Sequence, residues 1–205
     1  FTTRVLSSSG TDTYSAISAA IGSLKGPRHG GANIKVKHMM DELLANIKDL
    51  TDEEEIADYL GKIITKDAGD GSGLIYGFGH AIYTLSDPRA KILKKNAKKL
   101  SAEKGMTDIY EFYKRVEKLV PSVFENVKGS KKVICANVDF YSGFVYDMLG
   151  IESDLFTPLF AVSRIAGWCA HRIEEITYGG RIIRPAYRSM VKPTGYVPLD
   201  ERTAD

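Results

Sequence analysis

Two histidines and one aspartate stand where a folded chain could use them: His29, His80 and Asp139, each beside a turn or a helix start. Three arginines accompany them, Arg89, Arg164 and Arg184. An imidazole changes charge near neutral pH and can hold or deliver a proton. A carboxylate in such a place can serve as a base. Guanidinium forks grip carboxylates through two parallel hydrogen bonds. Together these groups suit chemistry on a di- or tricarboxylate, with the histidines hydrogen-bonding carbonyl oxygens where negative charge develops. The same set could bind zinc, but no two ligands show helical i, i+4 or short-loop spacing, so no metal is expected. His38 and His171 fall on helical segments and read as structural.

The densest of these stretches is residues 71–89, GSGLIYGFGHAIYTLSDPR. Its glycines at 71, 73, 77 and 79 allow tight turns and close backbone approach. Asp87-Pro88-Arg89 spells a helix start, with Asp87 as cap and Pro88 at the first helical position. Backbone donors, an imidazole and an arginine within ten residues make a cradle for an anion. The plainer alternative is a glycine-rich loop ending in a capped helix, with His80 packed and Arg89 solvated.

The elements that must position these groups read almost entirely as helices. Residues 11–24 place Tyr14, Ile17, Ile21 and Leu24 on one face, capped by Thr11 or Asp12. A breaker around His29 precedes a helix over 33–47. The capping box Thr51–Glu54 opens another, burying Ile56, Tyr59, Leu60, Ile63 and Ile64. From Pro88 to about Glu103, Ile92, Leu93, Ala97 and Leu100 point inward. Lys91, Lys94, Lys95, Lys98 and Lys99 form a solvated face, with phosphate binding as the alternative. A helix capped by Thr107 is expected to stop near Pro121. Residues 133–138 are a strand or a buried helix; periodicity does not decide. Phe140–Leu149 reads as a short helix. The helix starting at Thr157-Pro158 carries a broad apolar stripe of Leu159, Val162, Ile165, Ala166, Cys169, Ile173 and Ile176. Arg164 is a charge set inside it.

The 205 residues are 43% hydrophobic, enough for one large domain or two small ones. Twenty-eight basic against 26 acidic residues give a net charge of +2, which provides no global attraction to nucleic acid or membrane. No apolar run approaches the roughly 20 residues that span a bilayer. Cys135 and Cys169 lie among apolar neighbours and read as reduced thiols of a cytosol-like compartment.

Five motifs, GPRHGGAN around His29, GFGHAIYTLSDPRA around His80, NVDFYSG around Asp139, SRIAGWCAHRIEE around Arg164 and RIIRP around Arg184, resemble citrate synthase in order and separation. The resemblance covers essentially the whole chain. It implies an all-α, multi-helical fold with the active site between a large and a small domain: residues 1–29 and 151–205 in the large one, 30–150 in the small, CoA-binding one. It implies that His29 hydrogen-bonds the thioester carbonyl of acetyl-CoA, that Asp139 removes a methyl proton, and that His80 polarises the ketone of oxaloacetate. Arg89 and Arg164 would clamp carboxylates, and Arg184 would reach the partner's site in a homodimer or higher oligomer. Leu74, Ile75, Gly77, Gly79 and Asn137 would lie against CoA, the adenine meeting the backbone of 74–79. CoA thioesters enter as substrate and product, with no permanently bound cofactor. A bacterial cytoplasm is the implied location, with the mitochondrial matrix as the other. Three residues depart from the usual pattern: Arg28 before the first histidine, Ala81 after the second, where a contact to a CoA phosphate is in question, and Arg172, read as a surface difference. The family also carries a helical portion upstream of Phe1 with an oxaloacetate-binding histidine, so the 205 residues alone are expected to be inactive. Two alternatives are a 2-methylcitrate synthase using propionyl-CoA and a non-catalytic helical module that binds CoA.

Overall fold

Capping side chains open the helices that matter most. The computed structural model describes residues 1–26, 29–130, 133–186, 190–191 and 195–202, and Arg28 lies outside them. Among the described residues there are eight α-helices and no strand: α1 (Thr2–Ser8), α2 (Thr13–Leu24), α3 (Ala32–Asn46), α4 (Glu53–Thr65), α5 (Pro88–Glu103), α6 (Thr107–Lys128), α7 (Val138–Met148) and α8 (Phe156–Tyr178). Asp12 caps α2 by accepting from the Ser15 N–H at 3.0 Å, and Asn137 caps α7 by accepting from the Asp139 N–H at 3.0 Å. At α4 the cap is Asp52, one residue past the expected Thr51; Asp52 accepts from the N–H groups of Glu54 and Glu55. The Thr51 hydroxyl is instead drawn to Asp49 at 2.6 Å.

Helices α3 to α7 enclose one apolar core, in which Val36, Leu43, Leu60, Phe112, Val116 and Phe140 are fully or almost fully buried. Helix α6 does not stop at Pro121 but runs on to Lys128. Val116, Val120 and Val123 bury one face across the proline, and a proline on the exposed side removes only one backbone donor there. Helix α6 ends instead at Gly129, whose φ of +62° suits glycine. Residues 133–137 are neither full strand nor helix, and Val138 already opens α7. They run extended and pair briefly with 77–79: Phe78 bridges Ala136, the Gly79 N–H donates to the Cys135 carbonyl at 2.8 Å, and the Asn137 N–H donates to the Gly77 carbonyl at 2.8 Å.

Helices α1, α2 and α8 pack on one another, but not through the expected faces. On α2 the buried positions are Ala16, Ala20 and Leu24, while Tyr14 is 86% exposed. On α8 the stripe from Leu159 to Ile176 faces outward, with Val162 69% exposed, and the buried positions are Phe156, Arg172 and Glu175. The contact between these helices is made by Thr3 and Ser7 of α1, Ala16, Ala20 and Leu24 of α2 and Arg172 and Glu175 of α8, while most of the bulky apolar positions lie on the other face. Ile92 of α5 is likewise exposed. No helix among the described residues is long and apolar enough to cross a membrane.

Arg172 is not a surface residue. It is 8% exposed and donates to the Thr13 hydroxyl at 3.0 Å, the Ser7 hydroxyl at 3.1 Å and the Thr11 carbonyl at 2.9 Å. The guanidinium thereby staples α8 to both α1 and the start of α2. Beside it, Arg4 of α1 pairs with Glu174 and Glu175. Arg172→Ala would leave three oxygens without their donor. It is expected to cost about 1.5–3 kcal/mol, the range for hydrogen bonds to a charged group, read as a lower urea midpoint at unchanged slope.

Candidate active site

The first turn of α5 and the first turn of α7 meet at one carboxylate. Asp87 is 1% exposed. Its Oδ1 accepts from the Arg89 N–H at 2.9 Å and the Arg89 Nε at 3.0 Å. Its Oδ2 accepts from Arg89 Nη2 at 2.8 Å and from the Val138 N–H at 3.2 Å. Burial pushes the Asp87 carboxyl up, but the bonds and charge of Arg89 outweigh it and hold the group below its usual range. Asp87 is therefore more than a helix cap. It aims Arg89 and fixes where α7, and with it Asp139, begins. The sequence carried a signal for this: a carboxylate two residues before an arginine at a helix start.

His80 follows the paired 77–79 segment. Gly77 is forced there, because a side chain would meet Phe140 and Val36 at 2.9 Å and its φ is +82°. The Nδ1 of His80 accepts from the N–H groups of Ile82 at 3.0 Å and Tyr83 at 3.2 Å, which assigns the neutral ring's proton to Nε2. That Nε2 lies 3.3 Å from Arg89 Nη2. Both are donors, so they do not satisfy one another. They form a pair of donors open to one acceptor, such as a carboxylate or ketone oxygen.

Asp139 sits in the first turn of α7. Burial raises its pKa, against the opposing pull of Arg89, His29 and Arg164. A carboxylate surrounded by three cationic or protonatable groups, yet held up by desolvation, is poised to take a proton. Arg164 of α8 lies over the Phe160 ring, 4.7 Å from its centre. The His29 ring meets the same Phe160 edge-on at 5.5 Å. His29 is placed by Gly30, whose N–H donates to the Leu24 carbonyl at 2.7 Å. The Gly30 carbonyl accepts from the Thr157 hydroxyl at 2.9 Å. A side chain at Gly30 would strike the Leu24 carbonyl at 2.5 Å.

These residues surround a cavity of about 160 Å³ lined by Arg89, Asp139 and Arg164, together with Asn33, Tyr146 and Phe160 from three helices. His80 flanks it through Arg89 and His29 through Phe160. A second cavity, about 200 Å³, is lined by His29 itself together with Leu24 and Trp168. Arg184 lies on the exposed segment after α8 and does not line the cavity. Of the residues expected against CoA, Leu74 is exposed and Ile75 packs on the core. The side chain of Asn137 is committed to capping α7 and to donating to the Gly79 carbonyl at 3.0 Å. Phe160, Tyr146 and Asn33 were missed in the sequence because apolar and amide side chains carry no spacing signal of their own.

Residues 1–186 match the family model described as citrate synthase, C-terminal domain. The chain belongs to the citrate synthase family. It is 42% identical over 204 residues to citrate synthase 2 of Bacillus subtilis, covering 98% of this chain and 49% of that protein. It is 40% identical over 203 residues to citrate synthase of Synechocystis sp., covering 98% and 47%. It is also 39% identical over 205 residues to 2-methylcitrate synthase 1 of Corynebacterium glutamicum, covering 99% and 48%. Among solved citrate synthases, that of Thermotoga maritima superposes with a TM-score of 0.74 at 32% identity, covering all of this chain and 51% of that one. The Thermoplasma acidophilum enzyme, solved as a ternary complex with carboxymethyl coenzyme A and oxaloacetate, gives 0.73 at 36%, covering 98% and 50%. This chain thus spans about half the length of the curated relatives it matches. The all-helical architecture agrees with that of the family.

Proposed function

We propose that the complete gene product containing this chain is a citrate synthase, condensing acetyl-CoA with oxaloacetate to give citrate and CoA. The observation that carries the reading is the convergence of Arg89, Asp139 and Arg164 on one cavity, with the His80 Nε2–H donor beside Arg89. Arg89 and Arg164 bind the oxaloacetate carboxylates, and the His80 proton points at its ketone oxygen. His29 hydrogen-bonds the thioester carbonyl while Asp139 takes one proton from the methyl carbon. The resulting enolate carbon attacks the ketone, the new alkoxide takes the Nε2 proton of His80, and citryl-CoA forms. Water then cleaves the thioester, releasing citrate and the CoA thiol.

In this reading residues 30–150 form a small domain, and 1–29 with 151–205 belong to a large one. CoA lies along 74–79, with Leu74 its exposed contact and no basic side chain at Ala81. Arg184 reaches the partner's site in a homodimer of a cytoplasmic enzyme. The relatives named 2-methylcitrate synthase support propionyl-CoA as the second candidate substrate.

The test is oxaloacetate-dependent thiol release by the complete gene product, with acetyl-CoA and propionyl-CoA in parallel. Turnover with acetyl-CoA is expected. A folded protein that binds CoA but releases no thiol from either thioester would replace this reading with a non-catalytic CoA-binding module.

A further inference from the structure

Resting on the citrate synthase reading, we propose that Tyr146 sets the acyl-chain length the site accepts: its ring closes the cavity beside Asp139, and its hydroxyl disfavours a longer acyl group. Asp139, Ser142 and Tyr146 all line the cavity and stand at i, i+3 and i+7 on α7, one face of one helix. Helical side chains lean toward the N-terminus, so Tyr146 reaches back toward Asp139. Little on α7 separates them. Gly143 has no side chain, and the Ser142 hydroxyl is turned to the Asp139 carbonyl at 3.2 Å.

The Tyr146 ring is also fixed. It packs against Phe156, which is fully buried, with ring centres 5.0 Å apart and planes at 58°. Its hydroxyl has no hydrogen-bond partner among the described residues. Burial and the nearby Asp139 charge push the phenol's pKa up, which keeps it neutral. The other aromatic wall, Phe160, is already engaged by His29 and Arg164.

The chemistry places the acyl group in this corner. Asp139 takes a proton from the α-carbon, so whatever else that carbon bears must sit around the Asp139 carboxylate. For acetyl-CoA that is hydrogen; for propionyl-CoA it is a methyl group. A methyl pressed on the phenol would strip its water and offer no hydrogen bond in return.

The experiment compares kcat/KM for propionyl-CoA and acetyl-CoA in the complete gene product and in Tyr146→Phe and Tyr146→Leu. The propionyl-to-acetyl ratio is expected to rise in both. In Tyr146→Leu it should rise by about tenfold or more, within the 10- to 200-fold worth of one methylene. Saturable oxaloacetate binding, measured by calorimetry, should be retained and so report an intact fold. A ratio within about twofold of the parent in both variants, with oxaloacetate still bound, overturns the proposal. An inactive parent would instead refute the condensation reading. Acyl length is then read from the ratio of Kd values for carboxymethyl-CoA and its one-methylene-longer homologue, in the parent and in Tyr146→Leu, and an unchanged ratio again overturns the role of Tyr146.

Discussion

Asp139→Asn in the complete gene product is expected to lose activity and gain stability. The amide cannot accept the methyl proton, so kcat should fall by about 10²- to 10⁴-fold, the usual contribution of a positioned base. The stability change has the opposite sign. Burial raises the folded-state pKa of Asp139 above that of the unfolded chain. An acid shifted that way costs stability wherever it is ionised in the native state, above its folded pKa. That cost vanishes as pH falls toward the unfolded value. The variant should therefore melt higher than the parent at neutral pH, and the two should converge in acid. The same shift gives the parent's kcat/KM an acid limb whose midpoint lies above the ordinary aspartate value. An Asn variant that keeps the parent's turnover would remove Asp139 from the role of base.

Asp87→Asn should be the second most damaging change, although the side chain touches no substrate. An amide keeps one acceptor for the Arg89 N–H and Nε, but its NH₂ then faces Arg89 Nη2 and the Val138 N–H, donor against donors. Breaking a fully buried pair costs about 3–5 kcal/mol. Arg89 is partly exposed, so about 2–3 kcal/mol is expected here, with water taking up part of the loss. The binding effect is separate: a misdirected Arg89 should raise the KM for oxaloacetate about tenfold or more, as for loss of a charged hydrogen bond, with a smaller change in kcat. The pH dependence runs opposite to that of Asp139. The folded pKa of Asp87 is depressed, so its stabilisation is fully present above the unfolded pKa and is lost as pH falls through the lower, folded value. The deficit of the variant should be constant at neutral pH and shrink only in strong acid. An Asn variant with the parent's urea midpoint and oxaloacetate KM would mean that Arg89 is positioned by something else.

Much of this arrangement was legible in the residues. Asp12 and Asp87 are capping types in capping places, and α5 begins at Pro88 as its motif dictates, whereas α7 starts at Val138 on an Asn137 cap, two residues before the expected Phe140. Apart from Ile92 of α5, which is exposed, the helices of the α3–α7 core match their periodicity, because there the apolar face has a partner within the chain. The faces of α2 and α8 were read wrongly for the converse reason. Periodicity shows which residues share a face, not which face a neighbour covers, and alanines and a bonded arginine took the contact. Pro121 misled because a local breaker was overruled by burial on both sides of it. The fold segment 133–137 depended on pairing with residues more than fifty positions away, which no local pattern contains. At the site, chemistry-bearing types were found from sequence, whereas the walls of the cavity were not.

The Arg172 staple has a consequence for how this sequence can change over time. Its guanidinium is received by two hydroxyls and a carbonyl, so the charge is shared among positions far apart in the chain. An apolar residue at 172 strands the Ser7 and Thr13 hydroxyls, and apolar residues at 7 and 13 strand the guanidinium. Each single step goes downhill in stability, while the combined replacement by a well-packed apolar set leaves only the Thr11 carbonyl without its donor and costs less than the sum of the single steps. Positions 7, 13 and 172 therefore form an epistatic unit, in which the effect of one substitution depends on which of the others has already occurred.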